Sequence, residues 1–134
     1  MQIARRKPLT AKVGLFAVGL DTYWGQFPGL LETLLGYMTE LENQVQACGV
    51  AVTNFGMVDN AEAAQAALGR MKAADLDLVF CDMVTYATSC TVAPILRNLD
   101  VPLVLVALQP RSRLDYRSEE RRVGKGCRSR WSAH

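Results

Sequence analysis

Histidine is almost missing from this chain. The only one, His134, is the last of 134 residues, and residues 1–116 hold none. That stretch therefore cannot build a Ser-His-Asp or Cys-His hydrolytic site, nor a metal site that uses imidazole. Long apolar runs are also lacking. Nothing approaches the roughly 20 consecutive apolar residues of a membrane-spanning helix, which excludes a membrane partner of that kind. Cysteine is sparse, with four residues and no C-x-x-C pair. Cys48, Cys81 and Cys90 lie in apolar or helix-like stretches, which predicts buried free thiols in a reducing compartment and no disulfide framework. Phosphate-cradling glycine motifs are absent as well: neither G-x-G-x-x-G nor G-x-x-x-x-G-K-[ST] occurs, so a dinucleotide or P-loop site lacks its backbone cradle.

Charge is low and unevenly placed. The formal net charge is +2, yet residues 117–134 carry six basic and two acidic groups, a net of +4. The remaining nine basic and eleven acidic groups leave residues 1–116 at −2, so any case for nucleic acid rests on the tail alone. The start, "MQIARRKPLTAKVGLFAVGL", imitates an export signal, even a twin-arginine one. Its apolar run Val13–Leu20 is short, is interrupted by Gly14 and Gly19, and has no small-x-small cleavage site. It fits a buried first strand better, and the expected compartment is the cytoplasm.

What is present is a regular alternation of two periods. "KVGLFAVGL" is continuously apolar, as strands covered on both faces are. "DTYWGQFPG" reads as a loop. From Leu30 to Val45 the apolar residues recur three and four apart, predicting a helix begun by Pro28-Gly29 and ended by Gly49. "VAVTNFGMV" is the second strand, and "DNAEAAQAALGRMKAADL" a helix for which Asp59 and Glu62 suggest a capping box. "DLVFCDM" is the third strand, and "VTYATSCTVAPILRNL" a loop entering a helix whose start Pro94 obscures. "VPLVLVALQP" is the fourth strand. The order β-α-β-α-β-α-β predicts an α/β fold: a doubly wound, mainly parallel sheet of about four strands flanked by helices, Rossmann- or flavodoxin-like and incomplete.

Ligands of such sheets bind beyond the carboxyl ends of the strands. "GLDTYWGQF", "GMVDN", "DMVTYATS" and "LQP" should gather there. They bring Tyr23, Trp24 and Tyr86 close to Asp21, Thr85, Thr88 and Ser89, a mixture of ring faces, hydroxyls and carboxylate that suits a polyol or sugar. Residue types alone favour the plainer reading, in which Tyr23, Trp24 and Phe27 pack the loop onto the sheet. Asp82 ends the third strand, where a receiver domain keeps its phospho-accepting aspartate, but the first strand offers only Asp21 and no acidic pair for Mg²⁺.

"KVGLFAVGLDTYWGQFPGLLETLLGYMTELE", "DLVFCDMVTYATSCTVAPIL" and "VPLVLVALQP", taken in order, resemble the N-terminal domain of the L-fucose/L-arabinose isomerase family, in its arabinose-isomerase-like branch. The resemblance covers roughly residues 12–116. It implies an aldose–ketose isomerase of a homo-oligomeric, cytoplasmic kind. Its Mn²⁺ would be held by glutamates and histidines of later domains that this chain lacks. It further implies that the first domain lines the sugar site, with Asp21, Tyr23 and Trp24 on the approaching loop, Tyr86 after the third strand and Gln109 after the fourth. Asp21 departs from the glutamine of typical arabinose isomerases. The expected domain organisation is an N-terminal lead at 1–11, a truncated sugar-isomerase α/β domain at 12–116, and a tail at 117–134. On this reading the chain is inactive alone. The alternative is a non-catalytic small-ligand-binding or receiver-like α/β module.

The tail "RSEERRVGKGCRSRWSAH" carries basic groups and Trp131 that would suit a nucleic-acid arm. It resembles, however, the translation of a short-read sequencing adapter and begins where the isomerase-like pattern breaks. It is read as a non-native, disordered segment, with no nucleic-acid partner expected.

Overall fold

The computed structural model describes residues 10–109; the tail reading at 117–134 lies outside the described residues. The chain runs β1 (Lys12–Val18), α1 (Thr22–Gln26), α2 (Leu30–Gln46), β2 (Ala51–Val58), α3 (Ala61–Ala73), β3 (Leu78–Met83), α4 (Ser89–Asn98) and β4 (Leu103–Val106). The four strands form one sheet in the order β2-β1-β3-β4, and every pairing is parallel. This is the expected doubly wound α/β arrangement.

Why β1 is apolar without alternation is now visible. Phe16 and Val18 pack against α3 and α4 on one face, while Leu15 and Ala17 pack against Met38 and Leu41 of α2 on the other. Both faces of a central strand are thereby withdrawn from water, each side chain contributing about 25 cal/mol per Å² buried. Ala64, Ala67, Leu68 and Met71 give α3 its buried stripe, and the alanines allow close approach to the sheet. Gly14 is required by packing: a Cβ there would stand 2.7 Å from Leu76 and 3.1 Å from Phe55.

The two edges differ. β2 is broken by a bulge, since Leu15 pairs with Asn54 but Ala17 with Met57. Gly56, at φ +83°, supplies the left-handed residue of the bulge and donates its N–H to Asn54 Oδ1 at 2.9 Å. The Phe55 carbonyl accepts from Arg70 of α3 at 3.1 Å, and that guanidinium lies 5.8 Å from the Phe55 ring centroid. β4, at the other edge, is apolar and pairs with β3 without a register shift. Its Val104 is 41% exposed on the α2 face and Leu105 58% exposed on the opposite face.

Three expectations are corrected. The segment after β1 is not all loop, because Thr22–Gln26 closes one short helix, with Phe27 N–H donating to the Tyr23 carbonyl at 2.9 Å. The cap of α3 is Asn60 rather than Asp59: its Oδ1 accepts from Ala63 N–H at 2.8 Å, while Asp59 is engaged by Trp24. Of the three thiols expected to be buried, only Cys81 is; Cys48 and Cys90 are exposed on α-helical surfaces and their flanks. Pro94 is accommodated inside α4 as its sixth residue, and the Pro94 carbonyl accepts from the Asn98 side chain at 2.8 Å.

Candidate functional site

Strand order reverses between β1 and β3, because the chain leaves β1 for one neighbour and reaches β3 on the other side. The carboxyl ends of these two strands therefore flank the crevice in which doubly wound sheets bind ligands. Two adjoining clefts lie there along α2. Consecutive residues divide them: Thr33 and Thr85 line the outer one, Leu34 and Val84 the inner one.

The outer cleft measures about 700 Å³ and is walled by α1 and the start of α2: Tyr23, Gln26, Phe27, Pro28 and Leu30 face Thr85 from the β3 end. The local sequence explains this wall. Gly29, at φ +80°, turns the chain sharply between the two helices, and its carbonyl accepts from both the Thr33 N–H and the Thr33 hydroxyl. Tyr23 and Phe27 stack edge to face with centroids 5.9 Å apart, so the aromatic wall is held by its own packing. Thr85 donates its hydroxyl to the Tyr86 carbonyl at 2.8 Å, which fixes the facing loop.

The loop after β1 is also pinned from below. The Trp24 indole lies against Gly19, where a Cβ would come within 2.9 Å of the ring, and its Nε1–H donates to Asp59 Oδ2 at 2.8 Å. Asp21 N–H also reaches the Asp59 carbonyl, at 3.4 Å. The loops after β1 and β2 are thus tied together through Asp59, whose spacing to Glu62 suggests a helix cap.

The inner cleft, about 340 Å³, lies between α2 and the β3–β4 edge. Tyr37, Glu40 and Gln44 of α2 face Asp82 and Gln109 across it. Asp82 pairs with Ala17 and Val106 on either side, so its side chain shares their face of the sheet, the face that α2 covers. It is 3% exposed, and among the described residues no hydrogen-bond donor reaches its carboxylate. Burial raises its pKa above the ordinary carboxyl value. The neighbouring Cys81 points to the opposite face, where burial first and the Asp82 charge second push its thiol up to about 12, leaving it an inert core residue.

The five residues expected at a sugar site are therefore distributed. Tyr23 lines the outer cleft and Gln109 the inner one. Tyr86 is 66% exposed beside Thr85 at the outer rim. Asp21 is exposed, its carboxylate accepting from Thr22 at 3.3 Å, and Trp24 is turned beneath the loop toward Asp59. Gln26 and Thr33 also belong to the outer cleft: Gln26 comes from the short helix α1, where the sequence reads as loop, and Thr33 from the first turn of α2. The Mn²⁺ that the resemblance implies does not fit these residues: among the described residues no three His, Cys, Asp or Glu side chains converge. No helix among them is long and apolar enough to cross a membrane. Compared with known proteins, the chain matches no protein-family model, no curated protein and no solved structure.

Proposed function

We propose that this chain is the N-terminal domain of an aldose–ketose isomerase of the L-arabinose/L-fucose type, supplying part of the sugar-site lining and inactive alone. One observation carries this reading. The stretch "YWGQFPGL", on which the resemblance rests, forms most of one wall of a cleft at the switch in strand order, and Thr85 of "TYATS" stands on the other. A sugar suits such a cleft. Its C–H face lies against the Tyr23 ring, and its hydroxyls pair with the Gln26 amide and the Thr33 and Thr85 hydroxyls. Tyr86 offers a second ring at the rim, and Gln109 and Asp21 remain within the same group of strand-end loops.

No chemical step is assigned to these residues, because among the described residues no carboxylate, imidazole or amine lines the outer cleft and no metal cluster is formed there. Hydrogen transfer between C1 and C2, and the Mn²⁺ that assists it, belong on this reading to further domains of an oligomeric parent. The receiver-like alternative is disfavoured by the cleft through which Asp82 is reached, where among the described residues Glu40 adds a second carboxylate and no basic side chain stands to meet a phosphoryl group.

Saturation-transfer NMR of the full chain with L-arabinose and L-fucose tests the reading. Sugar protons are expected to receive magnetisation in the wild type and to lose most of it in Tyr23→Ala. No ketose is expected with Mn²⁺ present. Absence of transfer to either sugar would refute the sugar-lining role, and turnover by the chain alone would refute its dependence on other domains.

A further inference from the structure

We propose that the inner cleft is a binding site for a small organic cation, an ammonium or guanidinium group carried on an apolar body, with Asp82 as its anchor and Glu40 as its second carboxylate. This goes beyond the sugar reading, which uses the outer cleft and stands or falls separately.

The argument begins with Asp82. It occupies the last buried position of β3, between the apolar side chains of Ala17 and Val106, and nearly all of its surface is withdrawn from water. Burying a carboxylate without a partner is costly, and the usual remedies are a basic side chain or several N–H donors. Among the described residues Asp82 has neither, and since no fully buried side-chain nitrogen or oxygen among them is left unpaired, its unpartnered carboxylate is not sealed in but opens to free space. What contact its oxygens keep is with the inner cleft, which Asp82 lines.

The other groups around the cleft select the ligand. Among the described residues no lysine or arginine lines it, and Glu40 adds a second carboxylate, so these residues repel an anion. A neutral polyol could pair with Gln44, Gln109 and Tyr37 but would leave the Asp82 charge uncompensated. A bare metal ion finds, among the described residues, no third His, Cys, Asp or Glu to complete its ligands. An organic cation answers each requirement: an ammonium brings three donors and a guanidinium a planar fork for the two carboxylate oxygens. Leu34, Leu41 and Leu108 give its apolar body a place to lie. The volume, about 340 Å³, suits a ligand of this size.

The test compares n-butylammonium with its neutral isostere 1-butanol, each titrated into the ¹⁵N-labelled full chain. Butylammonium is expected to shift the amides of Asp82, Val84 and the Tyr37–Gln44 stretch of α2, with 1-butanol at least tenfold weaker. Asp82→Asn, which keeps the shape and removes the charge, should weaken butylammonium roughly 10- to 100-fold, as loss of a charged hydrogen bond does. Glu40→Gln, on the exposed side of α2, should weaken it less. Equal binding of the two isosteres by the wild type would overturn the proposal without recourse to any variant. So would undiminished affinity in a cooperatively melting Asp82→Asn, or shifts confined to Tyr23 and Thr85, which would assign the ligand to the outer cleft.

Discussion

Trp24 shows how one side chain sets the shape of a site without lining it. Its ring fits only because residue 19 has no Cβ, and its indole N–H holds Asp59, so the turn after β1 is fastened to the turn after β2. Trp24→Phe keeps most of the ring and deletes the donor. It is expected to cost about 1–2 kcal/mol, the scale of a half-buried hydrogen bond to a carboxylate, measured as a shift in the urea midpoint at unchanged slope. Asp82 makes the opposite contribution. Its folded pKa lies above its unfolded value, so between the two the folded state holds the extra proton. Its contribution to stability is fully present below the unfolded pKa and is lost as pH rises through the folded one. Glu40 and Tyr37 of α2 are the other titratable groups lining its cleft; Ala17 and Val106 flank it on the sheet. Asp82→Asn should therefore gain stability relative to wild type as pH rises from the acid range to neutrality. Urea melts of both proteins across that range measure it.

At the scale of elements, the β2 bulge is the feature most exposed to a single change. Gly56 holds a positive φ that a side chain resists, and Arg70 satisfies a carbonyl that the bulge displaces. Gly56→Ala is expected to lose about 1–2 kcal/mol, as is usual for a residue forced into that region, read from the same urea midpoint. The strands and long helices were legible in the sequence because their periods are clean. Both-face burial writes a continuous apolar run in β1, and one-face burial writes three-and-four spacing in α2. The shorter features were not. α1 has five residues, too few to show a period, and its glycine and flanking proline advertise a turn. Asp59 satisfied the capping-box spacing, but a contact 35 residues away claimed its carboxylate and left Asn60 as the cap. Cys48 and Cys90 sit in apolar-looking segments, and only the phase of their helices and helix ends exposes them. The candidate site was legible as a set of strand-end loops, with Tyr23, Tyr86 and Gln109 at their ends. The division into two clefts was not, because it depends on where α2 lies over the sheet. Nor was the burial of Asp82, whose position at a strand end suggested access to solvent.

For the whole molecule, the asymmetry of the two sheet edges is the dominant property. β2 is blunted by its bulge, whereas β4, among the described residues, presents unpaired backbone groups flanked by Val104 and Leu105, a template for pairing with another chain. The full chain is expected to self-associate with rising concentration, and Leu105→Lys to suppress this while keeping the same melting transition, as followed by static light scattering. The sugar reading belongs to this scale too, since it depends on the topology that brings the β1 and β3 loops together. Its most direct test is to titrate L-arabinose into the ¹⁵N-labelled full chain and map the amide shifts. The account expects them to centre on Tyr23, Gln26, Thr33 and Thr85, at the outer cleft. Shifts elsewhere on the sheet, or none at millimolar sugar, would contradict it.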